Sequence, residues 1–497
     1  MIAGRRGAAM RLAALGHLVS GDSTLTRRSR LPRSFPALLR IAAFGALAAA
    51  FAPPAPALEL SLPEARARLR SSHEALKAAG HEVRERQAEV GSADALMWPK
   101  LEANARWTRL DGPITIDLDP VRQVILALHP NVPGAAVPPF ILDVQDEQYG
   151  RADVRLTWPL FTGGKIDAAR DAAGARLADA NATMRGVEEG LSAELARRYF
   201  AVRLAARAVA VREEVLAGLD GHVKNARRLE EEGFLSRAES LHAEVARTEA
   251  DRELKASRHD LALAQEALAG LLSLPGEEAG AVVPTTPLFV LESLPPLDGL
   301  KKSALDANPA LARLSASAGL AGAGLAGEKA RWYPELGVFG YRELYKAGLT
   351  LLDPVWAAGV SARWTLFDGF SREKGIVAAK ERVARVDELT KRARRDVETL
   401  VEKKYREATK AREQVEAFGA ALALARENLR VRTRAFEEGV ATSLDVVDAR
   451  STLARVELGR LAAARDFDVA LAELLEVAGQ SDRYEALVAG APGDVEK

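Results

Sequence analysis

Apolar and polar residues alternate with period two in four short stretches and recur with a longer period in two very long ones. Leu101, Ala103, Ala105 and Trp107 alternate with Glu102, Asn104, Arg106 and Thr108. Ala152, Val154, Leu156, Trp158 and Leu160 alternate with Arg151, Asp153, Arg155 and Thr157. Ala358, Val360, Ala362, Trp364 and Leu366 alternate with Ser361, Arg363 and Thr365. Residues 335–345 alternate less well, with Phe339 and Tyr341 on one face. Side chains of a strand point to opposite faces in turn, so the pattern predicts strands at about 100–109, 151–161, 335–345 and 356–367. Lys165 to Glu232 contains no proline, and neither does Ser371 to Glu438. A heptad stripe runs along each: Leu195, Val202, Val209, Leu216, Val223, and Val401, Ala408, Val415, Leu422, Leu429. These spans predict helices at 165–232 and 371–438, each roughly 100 Å long, returning as helices 237–272 and 443–477. A stripe one position wide needs neighbouring helices along its whole length, which favours assembly.

The unit is written twice. Trp158-Pro-Leu-Phe161-Thr-Gly163 recurs as Trp364-Thr-Leu-Phe367-Asp-Gly369, an offset of 206 residues. The same offset carries Tyr199 onto Tyr405 and Glu231-Glu-Gly233-Phe-Leu-Ser236-Arg-Ala-Glu239 onto Glu437-Glu-Gly439-Val-Ala-Thr442-Ser-Leu-Asp445. Upstream, Trp98-Pro99-Lys-Leu101 parallels Tyr333-Pro334-Glu-Leu336 at offset 235, so the first copy holds an insert of 29 residues between 101 and 156. The copies occupy 58–272 and 298–477, with 273–297 read as a linker and 478–497 as a loose C-terminal tail. The proline-bearing insert, roughly 111–149, reads as a loop joining the first two strands.

Both long helices are expected to reverse at the G-x-x-[ST]-x-x-[DE] segments. Gly233 and Gly439 supply the left-handed residue after a helix end. Ser236 and Thr442 then cap the next helix, with Glu239 and Asp445 placed to complete capping boxes.

Charge and composition narrow the setting. Sixty-nine basic and 69 acidic residues leave no net charge, which gives no support to nucleic-acid binding. The absence of cysteine excludes disulfides and thiolate chemistry. Residues 1–57 carry eight arginines, an apolar run at 41–51 and Ala55-Pro56-Ala57, the layout of a secretory signal peptide. No later stretch offers 18 consecutive apolar residues, so membrane entry is left to a closed β-barrel. Ten-residue alternation is the barrel pattern, and all six tryptophans fall in or beside the four strands, as interfacial belts require. Four strands cannot close a barrel; three chains give twelve.

With these motifs the chain resembles the TolC family of outer-membrane efflux and secretion channels. The resemblance rests on Trp98-Pro99-Lys-Leu101, Trp332-Tyr-Pro-Glu-Leu336, Leu160-Phe-Thr-Gly-Gly164, Leu366-Phe-Asp-Gly369, Asn308-Pro309-Ala-Leu311 and the paired reversal segments. It implies a mainly α fold with a β-barrel portion. It implies a homotrimer that would share one twelve-stranded barrel among outer-membrane lipid, continued across the periplasm by an α-helical barrel. It implies a periplasmic membrane-fusion adaptor and an inner-membrane transporter of RND, ABC or MFS type as partners, and an efflux or type I secretion duct as the function. Trp158, Phe161, Gly163, Trp364, Phe367 and Gly369 then mark the junction of barrel and helices. Gly233, Ser236, Gly439 and Thr442 become periplasmic tips that meet the adaptor. Asp445 and Asp448, with Glu239, line the entrance. Some members latch that tip with an arginine where this chain has Ala441, and Phe436 replaces a possible tyrosine latch. On the family topology the 111–149 insert is extracellular.

A periplasmic coiled-coil scaffold or adaptor outside the membrane is the alternative; it leaves the duplicated strands and their tryptophans unexplained. Gly322-Ala-Gly324-Leu-Ala-Gly327 spells a dinucleotide motif, but within an Ala-rich helical stretch rather than after a strand. No metal motif, nucleophile elbow or P-loop is present, so neither an enzyme nor a cofactor is expected, and His242 reads as a surface residue.

Overall fold

The computed structural model describes residues 58–275, 282–349, 354–490 and 495–496; the expected signal peptide lies outside them. The first copy begins with β1 (Leu58–Leu60), α1 (Leu62–Ser72) and α2 (Glu74–Asp94). It continues through β2 (Lys100–Arg109), β3 (Ile114–Asp117), α3 (Asp119–Leu128) and β4 (Ile141–Phe161) to the long helix α4 (Lys165–Glu231) and its return α5 (Arg237–Leu271). The second copy comprises β5 (Val282–Pro284), α6 (Leu297–Ala307), α7 (Pro309–Ala330), β6 (Glu335–Leu349), β7 (Trp356–Arg363), α8 (Ser371–Glu437), α9 (Ser443–Val477) and α10 (Arg483–Ala489).

The copies agree in detail. Helices α4 and α8 each have 67 residues, about 100 Å at 1.5 Å per residue, and α5 and α9 each have 35. The breaks between α1 and α2 and between α6 and α7 fall at His73 and Asn308, where His73 Nδ1 and Asn308 Oδ1 accept from the backbone two residues on. None of the described helices is long and apolar enough to cross a membrane.

The main core lies where both copies meet. Tyr199 and Phe200 of α4, Phe289, and Phe467 and Leu471 of α9 are almost wholly buried there. Tyr199 donates to the Leu60 carbonyl and accepts from the Thr286 amide, 2.8 Å each, so one phenol ties β1 to the segment after β5. The 273–297 segment is therefore more than a linker: β5 pairs in parallel with β1, and Leu288, Phe289 and Leu291 are buried. Its prolines end the strand without preventing the apolar residues between them from packing. Nor is the C-terminal segment loose throughout. Tyr484 of α10 is buried and donates to the Asp468 carbonyl (3.0 Å), while Val495 is buried and Arg203 holds the Glu496 carboxylate.

The antiparallel sheet runs β2–β4–β6–β7, with β3 also paired to β4 on the side that carries β2. Two expectations change here. The insert is not simply a loop, because β3 pairs with residues 141–145, prolonging β4 to 21 residues, and α3 follows. β7 ends at Arg363 rather than near 367. The guanidinium of Arg372 takes the carbonyls of Thr365 (2.8 Å) and Leu366 (3.0 Å), which a longer strand would have used in its ladder. Phe339 and Tyr341 share one face as expected, and register shows that it is the polar one, beside Thr157 and Arg155; Leu336, Val338 and Gly340 supply the apolar face of β6.

Candidate functional site

One face of the sheet is apolar in register. Leu101, Ala103, Ala105 and Trp107 of β2 stand beside Leu156, Val154, Ala152 and Gly150 of β4. Val338 stands between Trp158 and Val360. Gly150 leaves bare backbone where a side chain would press within 2.8 Å of the Trp107 ring and 3.3 Å of the Tyr345 ring. Two aromatics thus close over the strand at the end far from the helices. All six tryptophans are 42–70% exposed in the isolated chain, too much indole for a water-facing surface and the disposition of interfacial belts.

At the helical end the duplicated motif makes the same contact twice. Trp158 Nε1 donates to the Met97 carbonyl and Trp364 Nε1 to the Trp332 carbonyl, 3.1 Å each. Gly163 (φ +65°) and Gly369 (φ +67°) then turn the chain into α4 and α8. The sites differ in surroundings: a Cβ on Gly163 would lie 2.5 Å from Tyr333 Cβ and 2.9 Å from the Ala330 carbonyl, whereas Gly369 has open space. Phe367 meets Phe370 edge to face at 5.6 Å, while Phe161, the last residue of β4, is exposed. Arg372, buried, also forms an ion pair with Asp368 (3.2 Å) and lies 4.4 Å over the Trp332 ring; the equivalent residue in the first copy is Ile166.

The other ends of the long helices form the two reversals. Gly233 (φ +81°) and Gly439 (φ +77°) follow the helix ends, and the next amides bond back to the Leu229 and Ala435 carbonyls. At the second reversal a full capping box forms. Thr442 Oγ1 accepts the Asp445 amide (3.3 Å), and Asp445 Oδ2 accepts the Thr442 amide (3.0 Å) and hydroxyl (2.7 Å). At the first, Ser236 accepts the Glu239 amide (3.3 Å), but no return bond from Glu239 is present among the described residues. A glutamate must freeze one more rotatable bond than an aspartate to reach back, at an exposed end where water serves as well.

Arg432 of α8 also reaches Asp445 Oδ1 at 3.3 Å. The Thr442 side chain and backbone, and then Arg432, hold the Asp445 carboxyl below its ordinary range, so it is ionised at neutral pH. Asp448, one turn further along α9, is exposed, and Glu239 is half-buried. Beyond each glycine an apolar residue stands in the open, Phe234 at 80% and Val440 at 78% exposure.

Both reversals rest on one small core made of Val223, Ala226, Ala243, Phe436 and Val446. Phe436 fills it rather than pointing outward. Its ring lies 4.7 Å from that of His222, which is buried and bonded through Nε2 to Ser443 Oγ at 2.8 Å. His222 and Arg450, whose guanidinium lies against Gly218, carry no motif in the sequence; His242, which reads as a surface residue, is exposed. The one signal was position, since His222 adjoins the stripe residue Val223.

Burial, then the nearby positive charge of Arg450, lowers the His222 pKa, and the Ser443 bond opposes them. A histidine held neutral contributes stability that is present above its unfolded pKa, about 6.5, and is lost as pH falls through the lower folded value. Proteolytic resistance of the reversals is therefore expected to fall as pH drops below about 6.5. His222→Gln, which keeps a hydrogen-bonding group but does not titrate, should flatten that fall; an unchanged profile would refute the assignment.

The model of outer membrane efflux proteins matches residues 65–273 and 300–480. Among solved structures, the outer membrane protein VceC of Vibrio cholerae is 17% identical, covers 84% of this chain and 96% of its own, and superposes with a TM-score of 0.68. The Campylobacter jejuni CmeC outer membrane channel is 12% identical over 84% and 86% of the two chains (TM-score 0.68). The open state of the Neisseria gonorrhoeae MtrE channel is 19% identical over 84% and 89% (TM-score 0.65). No curated protein matches by sequence. At these identities the structures establish the fold, and the matched family model, which spans most of both copies, carries the function. The apolar sheet, the paired long helices and that match lead to one conclusion: the chain belongs to the outer membrane efflux protein family, and it is an outer-membrane efflux channel that extends into the periplasm.

Proposed function

We propose that three copies close one twelve-stranded barrel in the outer membrane, and that their long helices continue it as a hollow cylinder. The duct passively conducts what an energised inner-membrane transporter, of RND, ABC or MFS type, delivers through a periplasmic adaptor. The observation that carries this reading is a sheet with an apolar face and two free edges, β2 and β7, fused to two helices of 67 residues each. Four strands are too few to close, and an open edge in lipid leaves amides unpaired, so copies must pair edge to edge.

The reversals face the adaptor, with Gly233, Ser236, Gly439 and Thr442 shaping the rim and Phe234 and Val440 offering apolar contacts. Threefold symmetry gathers Asp445 and Asp448 around the axis, with Glu239 nearby, as rings that attract cations and repel anions at a narrow mouth. With Ala441 at the latch position, Arg432 is the arginine that reaches Asp445, from within the same copy. Asp445→Ala combined with Asp448→Ala is expected to lower cation selectivity in planar bilayers and weaken block by multivalent cations. Unchanged conductance and block would place the constriction elsewhere.

A further inference from the structure

Helix α3 carries Val121, Val124, Ile125 and Leu128 at i, i+3, i+4 and i+7, a single apolar face, and all four are exposed. Its opposite side is spoken for. Arg122 bonds Asp119 and donates to the carbonyls of Val137 (2.7 Å) and Gly134 (3.0 Å), folding residues 134–137 onto the helix. Ile114 and Ile116 of β3 add exposed apolar surface at the foot of the helix. An apolar face displayed on a secured scaffold is a surface awaiting a partner.

Topology says which partner. β3 pairs with β4 on the same side as β2, so the insert stands above one free edge of the sheet, at the end away from the long helices. The other free edge is β7, and at the same end of that edge Val355 and Trp356 are also exposed. Closing copies edge to edge brings β2 of one beside β7 of the next, and the two apolar surfaces meet. Lipid is the poorer occupant. Interfacial helices display lysine and arginine on their polar side, whereas residues 111–149 contain six acidic residues and one arginine, Arg122, already bound.

We infer that the apolar face of α3 packs on the Val355–Trp356 end of the adjacent copy, so that an extracellular clasp covers each seam of the barrel. The inference rests on the trimeric reading above, and the experiment separates the two. The natural chain has no cysteine, so Leu128→Cys with Val355→Cys gives a clean pair. In outer membranes, mild oxidation is expected to link the double variant into covalent dimers and trimers on denaturing gels, with neither single variant linking. Val124→Ser with Leu128→Ser, exposed in a lone chain and harmless there, is expected to lower the temperature at which the detergent-resistant trimer dissociates.

A resistant trimer with no linkage and unchanged heat resistance overturns the clasp and leaves the channel reading standing. Quenching by brominated lipid of a fluorophore attached to the thiol of the Leu128→Cys variant also overturns it, naming the bilayer as occupant. Linkage by Leu128→Cys alone would mean that the helices meet one another rather than the seam. A wild-type chain that forms no trimer overturns the trimeric reading and the clasp together.

Discussion

Gly163→Ala is expected to abolish stable assembly, while Gly369→Ala in the same duplicated motif leaves most of it intact. Both glycines have φ near +65°, where an L-residue costs roughly 1–2 kcal/mol. At Gly369 the cost ends there, since the added carbon meets open space. At Gly163 the new Cβ would come within 2.5 Å of Tyr333 Cβ and 2.9 Å of a backbone oxygen, so α7 and the start of β6 must move. Overpacking adds about 1–3 kcal/mol, for a total of about 2–5 kcal/mol at the point where α4 is aimed away from the sheet. Yield of detergent-resistant oligomer in outer membranes and its melting temperature are the measurements. Equal losses for the two variants would show that the close approach to Tyr333 is not present in the protein.

Phe436→Ala should have a comparable effect at the opposite end. It removes the largest side chain of the small core shared by the reversals, and such truncations cost about 3–5 kcal/mol. Among the described residues that core holds five buried apolar side chains, so little remains to collapse into the cavity. Hydrogen exchange is expected to accelerate in the last turns of α4 and α8 and the first turns of α5 and α9. Melting of the sheet should stay put, because the reversals lie roughly 100 Å of helix away. Phe436→Leu, which refills most of the volume, should recover most of the protection. If exchange at the reversals is unaffected by the alanine, that core is not what joins the two copies there.

The family, the mainly helical, duplicated fold and the outer-membrane setting are legible in the sequence, because they are written in periodicities and in a motif stated twice. Period-two alternation exposes a sheet with two unlike faces, and the offset of 206 residues states the duplication without any contact being known. What stayed hidden depends on partners distant in the chain. Phe339 belongs to the polar face because β6 aligns it with Thr157 and Gly359, a matter of register that weak alternation leaves undetermined. β7 stops at Arg363 because Arg372 supplies donors to the next carbonyls from the following helix. The prolines of the insert obscured β3 and α3, although Pro120 sits in the first turn of α3, where a missing amide hydrogen does no harm.

The candidate site divides in the same way. The reversals are local, readable as a glycine followed three residues later by a capping hydroxyl. Arg432 lies thirteen residues before Asp445, on the other side of a turn, and nothing in the spacing marks the pair. The joint burial of His222, Phe436 and Ser443 draws on α4, α8 and α9, so no single segment of sequence carries it. A lone histidine in a helix is ordinary until its neighbours are known.

The equal lengths of the paired helices have a consequence for how such a chain can change. Helices α4 and α8, 67 residues each, reach reversals that share one core, and α5 and α9, 35 residues each, bring the chain back. The protein is in effect a gauge with two legs. Removing a heptad from one leg alone would stagger the ends by about 10 Å and pull the shared core apart. Matched heptads removed from both legs and both returns would shorten the gauge and keep its foot level. The span from outer membrane to adaptor can therefore drift only in concerted steps, and a protein built from two copies of one unit carries that coupling as a constraint on its own divergence.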